Sequence, residues 1–167
     1  MFSTELLELT EEILNLCQEK KLRLASVESC TGGLIAACLT EVPGSSSMFD
    51  RGFITYSNES KNELVQVPIN TIQEHGAVSP EVAEAMALGG LEKSQVDIVV
   101  SATGIAGPDG GSDEKPLGLV YIGVANRKTS AIRHIKNNFE GNRTEVRQST
   151  VKKALRVFLE EINNVDT

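Results

Sequence analysis

Between Thr4 and Lys20 the apolar residues Leu6, Leu9, Ile13 and Leu16 recur at intervals of three and four, so the chain is predicted to open with an amphipathic helix laid on a core. The run Leu22 to Val27 reads as a strand. It is followed by Glu28-Ser29-Cys30-Thr31-Gly32-Gly33 and then by the apolar stretch Leu34 to Leu39, the pattern of a strand feeding a glycine-rich turn into a buried helix. Pro43-Gly44-Ser45-Ser46-Ser47 breaks that helix. Arg51 to Tyr56 has the β-branched and aromatic content of a second strand, with a polar tail of Ser57, Asn58, Glu59 and Lys61. Ser79 followed by Pro80 marks a capped helix start, and the helix is expected to run to about Lys93.

The second half continues the alternation. Asp97 to Ala102 suits a buried strand and ends in a second glycine-rich segment, Thr103 to Gly111. Leu119 to Ala125 and Ala131 to Ile135 flank Asn126 to Ser130 as the arms of a hairpin. A last helix from about Arg143 to Ile162 carries Val146, Val151, Leu155 and Leu159 on its buried side. Helices alternating with strands, with a hairpin late in the chain, predict the α/β class: a mixed sheet covered on both faces. No repeat, low-complexity tract or linker divides the 167 residues, so a single domain spanning 1–167 is expected.

Charge and composition narrow the function. Asp and Glu number 23 against 16 Lys and Arg, a net charge of -7 that opposes attraction to a phosphate backbone and argues against nucleic acid as partner. A small anion remains admissible, since it needs only one or two local cations or a helix N-terminus. No segment has the length and apolarity of a membrane span, and the acidic, amphipathic start is unlike a secretory signal, so no membrane partner and a cytoplasmic location are expected. Cys17, Cys30 and Cys38 contain no CxxC pair, and His75 and His134 lie far apart in sequence. Neither a disulfide framework nor a metal site is suggested, and no metal is needed.

In open α/β sheets ligands gather at the carboxyl ends of strands, and three predicted strands end in small or polar residues. The segments are Glu28 to Gly33, Tyr56 to Lys61 and Thr103 to Gly111, with the Gly44 to Ser47 loop as an expected fourth contributor. Each has an ordinary alternative. Ser29 and Thr31 can be helix caps, the serine triplet a plain loop, Tyr56 a core residue and Lys61 a solvated charge. Cys30 and Cys38 read as small core residues, because no histidine stands near either in sequence. Together the segments nonetheless suit metal-free amide hydrolysis: a hydroxyl nucleophile with a lysine base, Lys61, desolvated at a strand end. The amides of the Ser29 to Gly33 turn would hold either a phosphate or an oxyanion, and the sequence leaves that choice open.

The strings ESCTGG, PGSS, RGFITYSNESK, HGAVS and SATGIAGPDGGSDEKPLG closely resemble the CinA C-terminal-domain family, over nearly the whole chain from about Leu22 to the last helix. The resemblance implies an α/β/α sandwich with three layers, and deamidation of nicotinamide mononucleotide to nicotinic acid mononucleotide and ammonia, a step of pyridine-nucleotide recycling, without an organic cofactor. Carried over position by position, it implies functional roles for Ser29, Thr31, Ser46, Tyr56, Lys61, Thr103 and Arg143, with Gly32, Gly33 and Gly104 in the substrate-binding turns. Ser29 is the first choice of nucleophile and Ser46 the second, and Arg143 is the expected phosphate ligand. A homo-oligomer, a dimer or higher, is expected. The additional N-terminal domain of full-length CinA proteins is expected to be missing.

Two competing readings stand beside the enzyme. One is a catalytically silent nucleotide-binding or interaction module linked to competence or DNA-damage responses. The other is a phosphohydrolase holding magnesium through Asp109, Asp113 and Glu114, acids that in a loop are usually only solvated.

Overall fold

The computed structural model describes residues 1–166, and Thr167, the last residue of the expected domain, lies outside them. The elements in order are α1 (Thr4–Lys20), β1 (Leu24–Glu28), α2 (Leu34–Thr40), a 3-10 turn (Ser45–Ser47), β2 (Phe49–Ile54), α3 (Asn58–Val65), α4 (Ile69–His75), α5 (Pro80–Glu92), β3 (Ile98–Gly104), β4 (Leu119–Asn126), β5 (Ala131–Asn138) and α6 (Arg143–Asn163). The five strands form one sheet in the order β2-β1-β3-β4-β5. β1 pairs in parallel with β2 and β3, while β4 pairs antiparallel with β3 and β5. The expected mixed sheet with helices on both faces is therefore present.

Alternation along β1 shows how one strand serves two layers. Leu24 belongs to the larger apolar cluster, which it shares with residues of α1, α2 and α6, whereas Ala25 and Val27 belong to the cluster that contains residues of α5. Ser26 and Glu28 follow Leu24 at the period of two that puts side chains on one face, and the Ser26 hydroxyl donates to Glu28 Oε1 at 3.0 Å. Helix boundaries follow their caps. Ser3 accepts from the Leu6 amide at α1, Ser79 accepts from the Val82 amide at α5 with Pro80 next to it, and Asn142 and Glu145 form a reciprocal capping box at α6.

The chain leaves β1 for β2 on one side and reaches β3 on the other, so the carboxyl ends of β1 and β3 lie side by side where the strand order reverses. Such a point leaves a crevice that no crossing connection fills. Two helices depart from the sequence expectation. The polar tail after the second strand is α3, and α4 follows it; Lys61 and Val65 are the buried residues of α3, and Ile72 that of α4. Neither carries the apolar stripe by which a surface helix is recognised. Among the described residues no helix is long and apolar enough to cross a membrane.

Candidate active site

The carboxyl ends of β1 and β3, the start of α3 and the start of α6 enclose a cleft of about 220 Å³. Ser29, Tyr56, Lys61, Thr103, Gly104 and Arg143 line it, together with Cys30, Asn58 and the Ala77-Val78 pair. Larger hollows lie elsewhere. One of about 350 Å³ between the start of α1 and α6 is lined by Leu6, Leu34 and Val151 among others. Ser3, Thr144, Ser149, Arg147 and Lys152 line it as well, but Lys152 Nζ donates to Glu5 Oε2 at 2.8 Å, whereas in the smaller cleft a lysine meets a serine hydroxyl.

Lys61 is among the largest fully buried side chains of the described residues, 1% exposed. The sequence placed it at a strand end; it stands instead in the first turn of α3, where the Ser57 cap accepts from the Ser60 amide and starts the helix that turns Lys61 inward. Its Nζ donates to Ser29 Oγ at 3.1 Å, to the Thr55 carbonyl at 2.9 Å and to the Tyr56 carbonyl at 3.3 Å. Burial pushes the Lys61 pKa below its ordinary value. Cys30 and Glu59 act in the opposite direction. Cys30, however, is itself pushed up to about 11 by burial, so it is a neutral thiol near pH 7 and neither opposes the shift there nor serves as nucleophile. A neutral amine has two protons and one lone pair. With its two protons on the Thr55 and Tyr56 carbonyls, the nearer of three that it reaches since the Ser57 carbonyl lies at 3.5 Å, the neutral amine has its lone pair for the Ser29 hydroxyl proton, which is the arrangement a base needs.

The turn after β1 is built around a buried charge. Glu28 is fully buried, and its carboxylate accepts from Ser26 Oγ, Thr31 Oγ1 and the amides of Gly33, Ile35 and Ala36 at 2.7–3.1 Å. It thereby fills the place at the start of α2 that an external anion would otherwise take. Gly33 caps that helix at φ 103°, a conformation that excludes a β-carbon at little cost only in glycine. Three expectations change in consequence. Thr31 turns its hydroxyl onto Glu28, Gly32 donates its amide to the Ser29 carbonyl at 3.0 Å, and Gly33 donates to Glu28, so these residues build the turn and do not line the cleft. Glu28 is likewise committed to the turn.

Ser46 lies away from this cleft in its own chain. It is exposed in the 3-10 turn that precedes β2, beside Met48, whose carbonyl accepts from Leu24 at the start of β1. That is the amino end of the parallel strands, about 16 Å or more from their carboxyl ends at roughly 3.3 Å per residue. The Gly44 to Ser47 loop therefore does not join the cleft within one chain, and Ser29 remains as the serine beside the lysine.

Thr103 is buried and donates its hydroxyl to the Ala77 carbonyl at 2.7 Å, tying β3 to the wall ahead of α5. Gly104 faces β4 so closely that a β-carbon there would lie 2.8 Å from the Leu119 carbonyl oxygen, so packing alone demands glycine. Tyr56, expected at a strand end, follows β2 and is 58% exposed; its hydroxyl accepts from Arg143 Nη2 at 3.2 Å. Arg143 Nη1 also donates to the Gly107 carbonyl at 2.8 Å, which fixes the guanidinium at the cleft mouth and at the N-terminal end of α6. Both features favour an anion there. Among the described residues no group of three or more His, Cys, Asp or Glu side chains is placed to hold a metal, and Asp109, Asp113 and Glu114 are spread along an exposed loop. The magnesium reading thus finds no ligand set in this segment.

One residue near the cleft went unread. Arg147 donates from Nε to the Cys30 carbonyl and from Nη2 to the Thr31 carbonyl, both at 3.1 Å, and its one signal in the sequence is a position four residues after Arg143 on the same helix.

The model of the CinA C-terminal domain family matches residues 6–162. The chain is 45% identical over 161 residues to the nicotinamide-nucleotide amidohydrolase PncC of Enterobacter agglomerans, covering 96% of this chain and 98% of that protein. It is 47% identical over 155 residues to a CinA-like protein of Citrifermentans bemidjiense, covering 93% of this chain but 37% of that longer protein. The crystal structure of the competence/damage inducible protein CihA from Agrobacterium tumefaciens superposes with a TM-score of 0.94 at 41% identity, over 98% of this chain and 99% of that one.

Proposed function

The chain belongs to the CinA C-terminal domain family, and on that premise we propose that it is a nicotinamide-nucleotide amidohydrolase, converting nicotinamide mononucleotide to nicotinic acid mononucleotide and ammonia. The observation that carries this reading is the contact of a fully buried lysine with a serine hydroxyl at a strand end, Lys61 Nζ to Ser29 Oγ at 3.1 Å. The full-length similarity to a protein of that name supports the substrate.

The steps balance without a further reactant except water. Ser29 Oγ attacks the carboxamide carbon while its proton passes to neutral Lys61. The tetrahedral intermediate expels ammonia, which takes the proton back from Lys61, and leaves an ester on Ser29. Water then attacks the ester, giving its proton to Lys61, and the alkoxide of Ser29 recovers that proton as the acid departs. Arg143 and the start of α6 hold the phosphate at the mouth, and the exposed ring of Tyr56 borders the path of the base.

Purified protein should release ammonia from nicotinamide mononucleotide in the presence of a chelator, and the riboside lacking phosphate should be a much poorer substrate. Ser29→Ala should lower turnover by about 10⁴-fold or more, with nucleotide affinity held within about three-fold. Binding of the nucleotide without any ammonia release would refute the enzyme and leave a binding module.

A further inference from the structure

We propose that Thr55 is a positioning residue of the lysine base: its hydroxyl, buried and unpaired in the resting protein, takes up the third N–H of Lys61 once the amine has become an ammonium and Ser29 Oγ has bonded to carbon. This rests on the serine amidohydrolase reading above.

The strand ladder sets three hydroxyls side by side. Glu28 stands opposite Ile54 of β2 and Ala102 of β3, and the pairing runs one residue further, because the Thr55 amide donates to the Glu28 carbonyl at 2.8 Å and the Ser29 amide to the Ala102 carbonyl at 2.9 Å. Thr55, Ser29 and Thr103 are therefore neighbours across β2, β1 and β3. Side chains alternate along a strand, so Thr55 shares the face of Phe53, Ser29 that of Val27, and Thr103 that of Val99. Val27 and Val99 belong to the apolar cluster that also holds Val65 of α3, and Phe53 packs against it. This is the face that α3 covers and from which Lys61 enters. Two of the three hydroxyls are engaged, Thr103 with the Ala77 carbonyl and Ser29 with Lys61 Nζ. Thr55 is fully buried, and its Oγ1 is the one buried side-chain oxygen or nitrogen among the described residues that has no hydrogen-bond partner.

A buried hydroxyl left unpaired costs stability, and a valine would keep its shape without that cost. The chemistry of Lys61 supplies a reason for the threonine. In the resting site an ammonium has an acceptor for each of its three N–H groups: the Thr55 carbonyl at 2.9 Å, the Tyr56 carbonyl at 3.3 Å and Ser29 Oγ at 3.1 Å. The reaction removes the last of these. As Ser29 Oγ bonds to the carboxamide carbon its O–H bond breaks and the third N–H forms on Nζ, while the oxygen gives a lone pair to carbon. Neighbouring strands are about 4.8 Å apart, so Nζ, already tied to the Thr55 carbonyl, reaches the hydroxyl of the same residue by moving across less than one strand spacing. Oγ1 accepts that N–H until the proton passes to the departing ammonia. An acceptor used only after proton transfer lowers the barrier without tightening the bound substrate, so its loss appears in kcat.

Thr55→Val removes the acceptor and keeps the shape. The kcat for nicotinamide mononucleotide should fall about ten-fold with KM within about three-fold, while Tm stays level or rises as an unpaired hydroxyl leaves the core. Thr55→Ser retains the hydroxyl and should recover most of that kcat, and Thr55→Ala replaces the valine variant should it not fold. The titration of Lys61, followed by NMR of its side chain, needs no turnover. In Ser29→Ala the ammonium must turn to Thr55, so adding Thr55→Val to Ser29→Ala should lower the Lys61 pKa by about one unit, since the charged form loses an acceptor. Glu28 and Cys30 of the first turn, Glu59 of α3, and Tyr56 and Arg143 at the mouth are the titratable and charged groups around Lys61, and they are identical in the two proteins. A Thr55→Val kcat within about two-fold of the parent, a Tm several degrees below it, or equal Lys61 titrations in the Ser29→Ala pair overturns the proposal. If the parent protein releases no ammonia, the substrate assignment fails and the titrations alone decide the role of Thr55.

Discussion

The turn after β1 and the segment after β3 are both glycine-rich and both leave a parallel strand at the crevice, yet they are held by different means. The first closes on itself around two side chains: Glu28 gathers hydrogen bonds from inside, and Arg147 reaches in from α6 to the outward carbonyls. The second is buried only at its root, Thr103 to Gly107 apart from the half-buried Gly104 and Ile105, and then runs exposed from Pro108 to Glu114. A few bonds restrain it: the Ser112 amide to the Lys115 carbonyl at 2.8 Å, Lys115 Nζ to the His75 carbonyl at 2.7 Å, and Arg143 to the Gly107 carbonyl. On the proposed reading, in which Ser29 is the nucleophile, a displacement of about 1 Å would cost about 10²-fold in rate, so a turn held by charge suits that role. Glycine content alone does not reveal this difference. Which polar groups the turn can satisfy internally does.

The largest test of this contrast acts on Lys61, which reaches from α3 to Ser29 in the first turn. Lys61→Met keeps most of the stem and removes the amine, and should lower turnover by about 10²- to 10⁴-fold with nucleotide binding retained. In the parent protein kcat/KM should fall as pH drops through the Lys61 pKa, which burial sets below 10.5, because the neutral amine is the active form. Stability follows the same proton. The unfolded chain holds it up to the ordinary lysine pKa while the folded protein releases it earlier, so stability rises with pH between those two values, and Lys61→Met should abolish that rise. Retained turnover in the variant would remove the serine and lysine mechanism and direct the search to Tyr56.

A middle-sized effect separates the two turns directly. Glu28→Gln replaces a carboxylate that accepts five hydrogen bonds with an amide whose NH2 cannot accept, leaving buried donors unmatched. The cost should be about 3 kcal/mol, since hydrogen bonds to charged groups are the strong ones. In a chain of this size that lowers Tm by about 6 to 12 °C. Asp109→Asn in the exposed segment should leave Tm within about 1 °C. Equal shifts in the two variants would erase the distinction.

What could be read beforehand follows from where each residue finds its stabilisation. α1, α5, α6 and the hairpin of β4 and β5 each carry their own apolar period or cap, so their places were legible. α3 and α4 were not, because α3 buries a lysine where a stripe would show an apolar residue, and Ser57 was the one local sign of its start. Lys61 drew notice all the same, since a lysine after a strand end is chemically suggestive in either a strand or a helix. The place of Ser46 was not legible for the opposite reason: a serine beside glycine looks the same at the amino end of a sheet as at the carboxyl end, and topology alone tells them apart. Glu28 and Arg147 escaped because their partners are backbone groups, and a sequence does not show which carbonyls a distant arginine will meet.

The smallest predicted effect asks whether the exposed segment opens independently of the nucleophile turn. Lys115 Nζ donates to the carbonyl of His75, the last residue of α4, where the helix leaves carbonyls without internal partners and favours a cation. The ammonium sits so close to Gly76 that a β-carbon there would lie 2.8 Å from it, so this contact is the strap between the segment and the cleft wall. Lys115→Met removes the donor and keeps the stem. One part-buried hydrogen bond is worth about 1 kcal/mol, which moves Tm by only about 2 to 4 °C. Local opening is the more sensitive reading, because amide exchange reports free energies far below that of global unfolding. The amides of Gly111, Ser112 and Gly118 should exchange faster in Lys115→Met, while those of Gly33, Ile35 and Ala36, held by Glu28, keep their protection. Loss of protection in both groups together would mean that the two turns open as one unit, and that the carboxylate and the guanidinium stabilise the whole mouth of the cleft rather than the nucleophile turn alone.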